Sequence, residues 1–139
     1  MTRVELIATA DRQLRALRGN RRNAALRVLT ELESRGCSAA GYRLAGELFD
    51  QVCCRHLYGT DRMLILWSAD DHAVVVAIAP HDGSHLDVYD TLADALGLAV
   101  SVEERSKPPC CDEASLPPVD EEIVSTVSDA LRRAARRRR

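Results

Sequence analysis

Two arginines, Arg55 and Arg62, flank the polar stretch YGTD in the run CCRHLYGTDRMLILW at residues 53–67. A guanidinium stays charged at every physiological pH and only donates hydrogen bonds, so chemistry at such a pair is chemistry with anionic oxygen. His56 lies between them in sequence, and His81 and His85 lie in the polar loop PHDGSHLDVYD at 80–90. Histidine titrates near neutrality without help from its surroundings, which makes these three the candidates for moving a proton. Tyr89 follows at the first turn of an expected helix, where a tyrosine most simply packs. The plain reading of two strand arginines is a solvated surface, since Arg is mostly exposed.

Three short strands must position these groups. Residues 52–57, 62–69 and 73–79 read as strands in series, reversed by YGTD and by DDH. The third is a nearly continuous β-branched run with no charge, which implies burial on both faces, an interior place in the sheet and helical cover. A four-residue turn over 58–61 pairs Leu57 with Arg62 and Arg55 with Leu64. One face then carries Cys53, Arg55, Leu57, Arg62, Leu64 and Leu66, with the two arginines side by side. The other carries Val52, Cys54, His56, Met63, Ile65 and Trp67, the better core face, with Trp67 as a core residue. A one-residue slip separates the arginines.

With 139 residues the chain has room for one domain and one modest core. A hydrophobic fraction of 46% with 4% aromatic residues suits an α/β or α+β protein built from Leu, Val and Ala. The formal net charge of −2 does not advertise nucleic-acid binding, but the distribution is uneven. Residues 1–43 carry nine Arg against four acids, whereas 44–96 carry two Arg against nine acids. No stretch approaches bilayer-spanning length and the N-terminus lacks an apolar signal core, so the expected place is the cytoplasm, with no membrane partner. Five cysteines are then expected to be reduced. Cys53-Cys54 and Cys110-Cys111 are adjacent pairs and not the C-x-x-C spacing of zinc sites, so they read as small buried hydrophobes, with no metal and no cofactor.

Residues 4–9 form an expected edge strand, followed by a helix capped by Thr9 or Asp11 and running through Arg18. Gly19 ends it, Asn20 caps the next helix over 21–35, and Gly36 stops that one. Leu14 and Leu17 on the first helix and Ala25, Val28, Leu29 and Leu32 on the second form inward stripes. Arg15, Arg18, Arg22 and Arg27 point outward, as a solvated face or as an electrostatic footprint for phosphates. His72 falls in the second strand reversal, where solvent is expected. A helix from Asp87 to Leu98 closes the domain, residues 99–118 form a Pro-rich connector, and 119–139 form an amphipathic helix with an Arg-rich end. Its stripe of Ile123, Val127, Leu131 and Ala134 needs a surface, offered by its own domain, a partner or a second copy of the chain.

Three segments in order resemble the RelE/ParE superfamily of toxins from bacterial toxin–antitoxin pairs. YRLAGEL at 42–48 resembles the family's approach to the second strand. CCRHLYGTDRMLILW resembles its basic strand, polar turn and "x-Arg-hydrophobic" strand, and VVVAIAPHDGSHLDVY at 74–89 resembles its last strand, loop and closing Asp/Glu-Val-Tyr. The likeness covers residues 1–98. It implies an α+β fold, with an N-terminal strand and αα-hairpin packed on an antiparallel three- to four-stranded sheet and the C-terminal helix as an addition.

For activity, the resemblance implies metal-independent endoribonuclease cleavage of mRNA on the ribosome, with an antitoxin as partner. The 2′-hydroxyl attacks the neighbouring phosphate, which needs a base, an acid and cations for the developing charge. By position, Arg55 and Arg62 would stabilise the phosphorane, Tyr89 would stack on a base or move the proton, and His81 or His85 would stand where relatives place an Arg or His. His56, His85, Arg18 and Arg22 would contact RNA. The chain departs from the nuclease pattern in its acidic middle, its lack of lysine before Lys107, and Asp82-Gly83 where a cation is expected. The alternative is therefore a non-catalytic RelE/ParE-fold interaction protein, either a ParE-like inhibitor or a module that binds an antitoxin or another partner.

Overall fold

A computed structural model describes residues 2–43, 52–69, 71–81, 88, 125 and 128–133. Within them the chain runs β1 (Arg3–Leu6), α1 (Ala8–Ala16), α2 (Gly19–Arg35), a 3-10 turn (Gly36–Ala39), β2 (Tyr42–Arg43), β3 (Val52–His56), β4 (Asp61–Ala69) and β5 (His72–Pro80). The strands make one five-stranded sheet in the order β1-β5-β4-β3-β2. β1 is parallel to β5 and the other pairings are antiparallel. The architecture is mixed α+β, as the element pattern anticipated, but the sheet has five strands and a parallel β1–β5 pair where three to four antiparallel strands were expected.

The charge-free run behaves as its composition requires. Every residue from His72 to Ala79 is buried, and β5 lies between β1 and β4. Between Leu64 and Ile65 the β4–β5 register shifts, so that Leu64 faces Ala77 and Ile65 faces Val75. Such a bulge disrupts the ladder locally and calls for other hydrogen-bond partners. Two residues beyond the skipped Val76, Gln13 of α1 reaches the same strand, its Oε1 accepting from the Ile78 N–H at 2.8 Å.

α1 and α2 cover one face of this sheet. Ala10, Leu14 and Leu17 from the first helical segment and Ala25, Val28 and Leu32 from α2 form one cluster with Cys53, Met63, Ile65, Trp67, Ala73, Val75 and Ile78. These are the inward stripes expected from helical spacing, with Leu29 partly buried at their margin. The helix starts differ from expectation. Ile7 and Arg18 occupy the N-cap positions with no side-chain cap, and Asp11 sits in the first turn of α1, paired with Arg15 at 3.0 Å. Gly19, in a left-handed conformation at φ 57°, reverses the chain directly into α2.

The opposite face is buried through its middle as well. Val52, Cys54, Leu64, Leu66, Val74 and Ala77 are each at most 5% exposed. Val88, Ala130 and Leu131 are also buried, and residues 128–133 are helical. Tyr89, His85, the remainder of the expected helix to Leu98, the Pro-rich connector and the rest of the C-terminal helix lie outside the described residues.

Two expectations are corrected. His72 is not in solvent: it is 6% exposed and begins β5. Cys37 and Cys53 are disulfide-bonded and not reduced. Cys54 is a buried thiol, as anticipated for a small hydrophobe.

Candidate functional site

The β3–β4 hairpin decides where the arginines go. His56 pairs with Arg62 and Arg55 with Met63, so five residues separate the paired positions and not four. Leu57 donates its N–H to the Asp61 carbonyl at 2.9 Å, and Asp61 donates to the Tyr58 carbonyl at 3.1 Å. Gly59 at φ 62° provides the left-handed step of this turn. One extra residue inverts the alternation of a strand relative to its partner. Arg55 therefore shares a face with Cys53, Met63 and Ile65, and Arg62 shares the other with His56 and Leu64. The expected side-by-side pair does not form.

Asp61 opens β4 at the end of this turn. Its carboxylate, 3% exposed, lies on the helix side and receives Arg21 of α2 in a two-pronged contact, Nε to Oδ2 and Nη2 to Oδ1, both at 2.8 Å. A planar guanidinium and a carboxylate match in this geometry, which fixes direction as well as distance. The Arg21 pKa is raised, because the hydrogen bonds to Asp61 favour the charged form and Asp61's charge adds to them, with burial opposing. Putting Asp61 on the helix face puts Met63 there too, and Arg62 on the reverse.

Each arginine is engaged locally. Arg55 donates from Nη1 to the Ala39 carbonyl at 2.8 Å, and its Nη2 lies 3.0 Å from Glu31 Oε2, with both side chains about a quarter exposed (28% and 27%). Arg62 donates to the carbonyls of Asp61 at 3.0 Å and Gly59 at 3.4 Å, bracing the turn. His56 is exposed at the end of β3, and His81 is exposed and donates its backbone N–H to the Thr60 carbonyl at 2.8 Å. The turn thus gathers Arg62, His56 and His81 at one end of the sheet, while Arg55 is held at the 3-10 turn.

That same end carries the cationic surface. Arg15, Arg18 and Arg22 are exposed around the α1–α2 junction, and the Arg21–Asp61 contact holds this junction to the β3–β4 turn. Arg18 is turned inward on its own chain, donating from Nη1 to the carbonyls of Arg15 at 2.6 Å and Leu17 at 3.0 Å. Tyr58, 53% exposed, stands at the tip of the turn. A cationic surface with an exposed aromatic ring suits an anionic partner.

Sequence reasoning missed three polar contacts. Arg21–Asp61 spans 40 residues of sequence and Arg55–Glu31 joins β3 to α2. His72 accepts from Arg3 at Nδ1 and reaches Glu5 Oε2 through Nε2, both at 3.0 Å. Because Arg only donates, Nδ1 must be the bare nitrogen and Nε2 the one bearing the proton toward Glu5. This clasp depends on the parallel β1–β5 pairing, which sets Arg3 directly opposite His72.

Among the described residues no group of three His, Cys, Asp or Glu side chains is arranged to hold a metal ion, and no helix is long and apolar enough to cross a membrane. No protein-family model matches the chain, and no curated protein matches it.

Proposed function

We propose that this protein is a non-catalytic interaction module on a RelE/ParE-like scaffold, working in the cytoplasm through its arginine-rich end on an acidic partner of the antitoxin kind. The observation that carries the reading is the odd-numbered β3–β4 turn, which sets Arg55 and Arg62 on opposite faces. Cleavage by 2′-hydroxyl attack needs cations converging on one phosphate, and electrostatic stabilisation falls away when the donors do not point at a single developing charge. Arg55 is in addition engaged by Glu31 and the Ala39 carbonyl. The order strand, helix, helix and antiparallel strands supports the scaffold resemblance, and Arg18 and Arg22, exposed at the α1–α2 junction that Arg21 holds to the turn bearing the exposed Tyr58, support an anionic partner.

The nuclease reading, an mRNA endoribonuclease working on the ribosome, is the competing arm of the test. On expression in a bacterial host the module causes no growth arrest and leaves translated mRNA intact. Arrest relieved by Arg62→Ala and by Tyr89→Phe would overturn the proposal in favour of the nuclease. With purified protein, fluorescence anisotropy against a poly-glutamate peptide should show saturable binding that Arg18→Glu with Arg22→Glu reduces at least about tenfold, on the order of 1.4 kcal/mol.

A further inference from the structure

We propose that the outer edge of β1 is a self-association site, pairing antiparallel with β1 of a second copy of the chain about a two-fold axis at Val4. β1 ends the sheet beyond β5. Its parallel ladder fixes which backbone groups are already paired. Arg3 donates its N–H to the Asp71 carbonyl at 2.7 Å, and Ile7 donates to the Val75 carbonyl at 3.1 Å. Bonded residues alternate along such a strand, so Arg3, Glu5 and Ile7 turn their backbone groups toward β5. Val4 and Leu6 turn theirs away. Among the described strands only β5 pairs with β1, so these outward N–H and C=O groups have no ladder partner there. An edge of this kind is a template for a further strand.

The edge is held extended before any partner arrives. The Thr2 N–H donates to the Glu33 carbonyl at 2.9 Å, tying the start of β1 to the end of α2. Val4 and Leu6 pack against the core cluster on the helix side. Arg3 and Glu5 project to the other face, where Arg3 Nη2 and Glu5 Oε2 each lie 3.0 Å from a ring nitrogen of His72. The Glu5 side chain is nonetheless 62% exposed, which leaves it open to a second cation.

Charge selects the occupant. With Val4 of the two copies directly opposed, the pair exchanges hydrogen bonds, as its outward groups require. Arg3 of each copy then stands opposite Glu5 of the other, in the position where side chains approach most closely. Leu6 of each copy donates to the Thr2 carbonyl of the other. Sliding the pairing by two residues, the smallest step that keeps the faces, sets Arg3 against Arg3 or Glu5 against Glu5. Opposite charges stabilise a cross-strand pair and like charges destabilise it. Arg-Val-Glu therefore complements itself in one register, and a neutral strand in its place leaves both charges unmatched. Four residues from each copy make a small contact, so the dimer is transient, with a dissociation constant of roughly 0.1 mM.

Sedimentation equilibrium of the full chain from about 10 µM to about 1 mM should pass from monomer to dimer. Over that range the Val4 and Leu6 amides should exchange about fivefold more slowly by NMR, since about a fifth of the chain remains monomeric at the top. The Ile78 amide, bonded to Gln13, should not change. A chain monomeric throughout, the result expected of an edge kept for another protein's strand, would overturn the proposal. So would a dimer whose Val4 and Leu6 amides exchange as in the monomer. Arg3→Glu and Glu5→Arg test the register. Each variant alone opposes like charges and should stay monomeric, whereas an equimolar mixture restores both pairs and should dimerise as the unaltered chain does. A mixture no more associated than its folded components would sink the register and the proposal with it. Both substitutions remove a partner of His72, so folding is checked by circular dichroism. If either fails to fold, the concentration series on the unaltered chain decides alone. The edge uses none of the arginines assigned to the acidic partner, so the two proposals fail separately.

Discussion

Arg21 and Arg55 each meet a carboxylate across the helix–sheet junction, yet the two contacts act differently on the fold. At Arg21 the asymmetry is in burial: the guanidinium side chain is 48% exposed and Asp61 is 3% exposed. At Arg55 both partners are about a quarter exposed, and one prong of the guanidinium goes to a backbone carbonyl instead. The first contact buries a carboxylate at the start of β4 against a single cation. The second braces the corner where the 3-10 turn meets β3, through a pair about a quarter exposed on both sides.

The sharpest way to break the corner is through the backbone. Gly41 has φ 83°, and a Cβ there would meet the Cys54 carbonyl oxygen at 2.3 Å. Gly41→Ala combines a left-handed conformation with a clash against backbone, and should cost about 3 kcal/mol in urea unfolding. A loss under about 1 kcal/mol would show that the corner yields.

Next come the two halves of the Arg21–Asp61 contact, which should be unequal. Arg21→Ala leaves a buried carboxylate without its cation, expected to destabilise by about 2–3 kcal/mol. Asp61→Ala leaves an arginine that can turn to water, expected to cost only about 1 kcal/mol. Equal losses would contradict the burial argument, since the asymmetry rests on which charge is stranded.

Glu31→Gln keeps an acceptor for Arg55 and should cost about 0.5 kcal/mol, read as a small shift in the denaturant midpoint. The smallest effect belongs to the exposed face. Arg22→Ala should leave stability within about 0.5 kcal/mol while weakening poly-glutamate binding, which separates the partner surface from the scaffold.

Much of this fold was readable from local pattern. The apolar run of β5 could only be an interior strand, and the stripes of α1 and α2 named the residues that meet it. Met63, Ile65 and Trp67 were rightly assigned to the core face, because each is apolar and they alternate. Their expected companions on β3 were not, since assigning Val52, Cys54 and His56 to that face required counting the turn correctly. The candidate site depended on that count. His72 was misread because its position in a turn was visible while Arg3 and Glu5, brought up by a parallel strand 67 to 69 residues away in sequence, were not. The cysteine state was misread for the same reason, since adjacency in sequence says nothing of what a thiol meets in space.

The chain by itself determined α1, α2, the strands β3 to β5 and which of these segments are apolar enough to be covered, because these follow from the periods 3.6 and 2 within single elements. Which face of the hairpin carries Arg55 and which carries Arg62 was decided by tertiary structure alone. Strand alternation is binary, so one residue added to the turn inverts β3 relative to β4, and no local propensity records that choice.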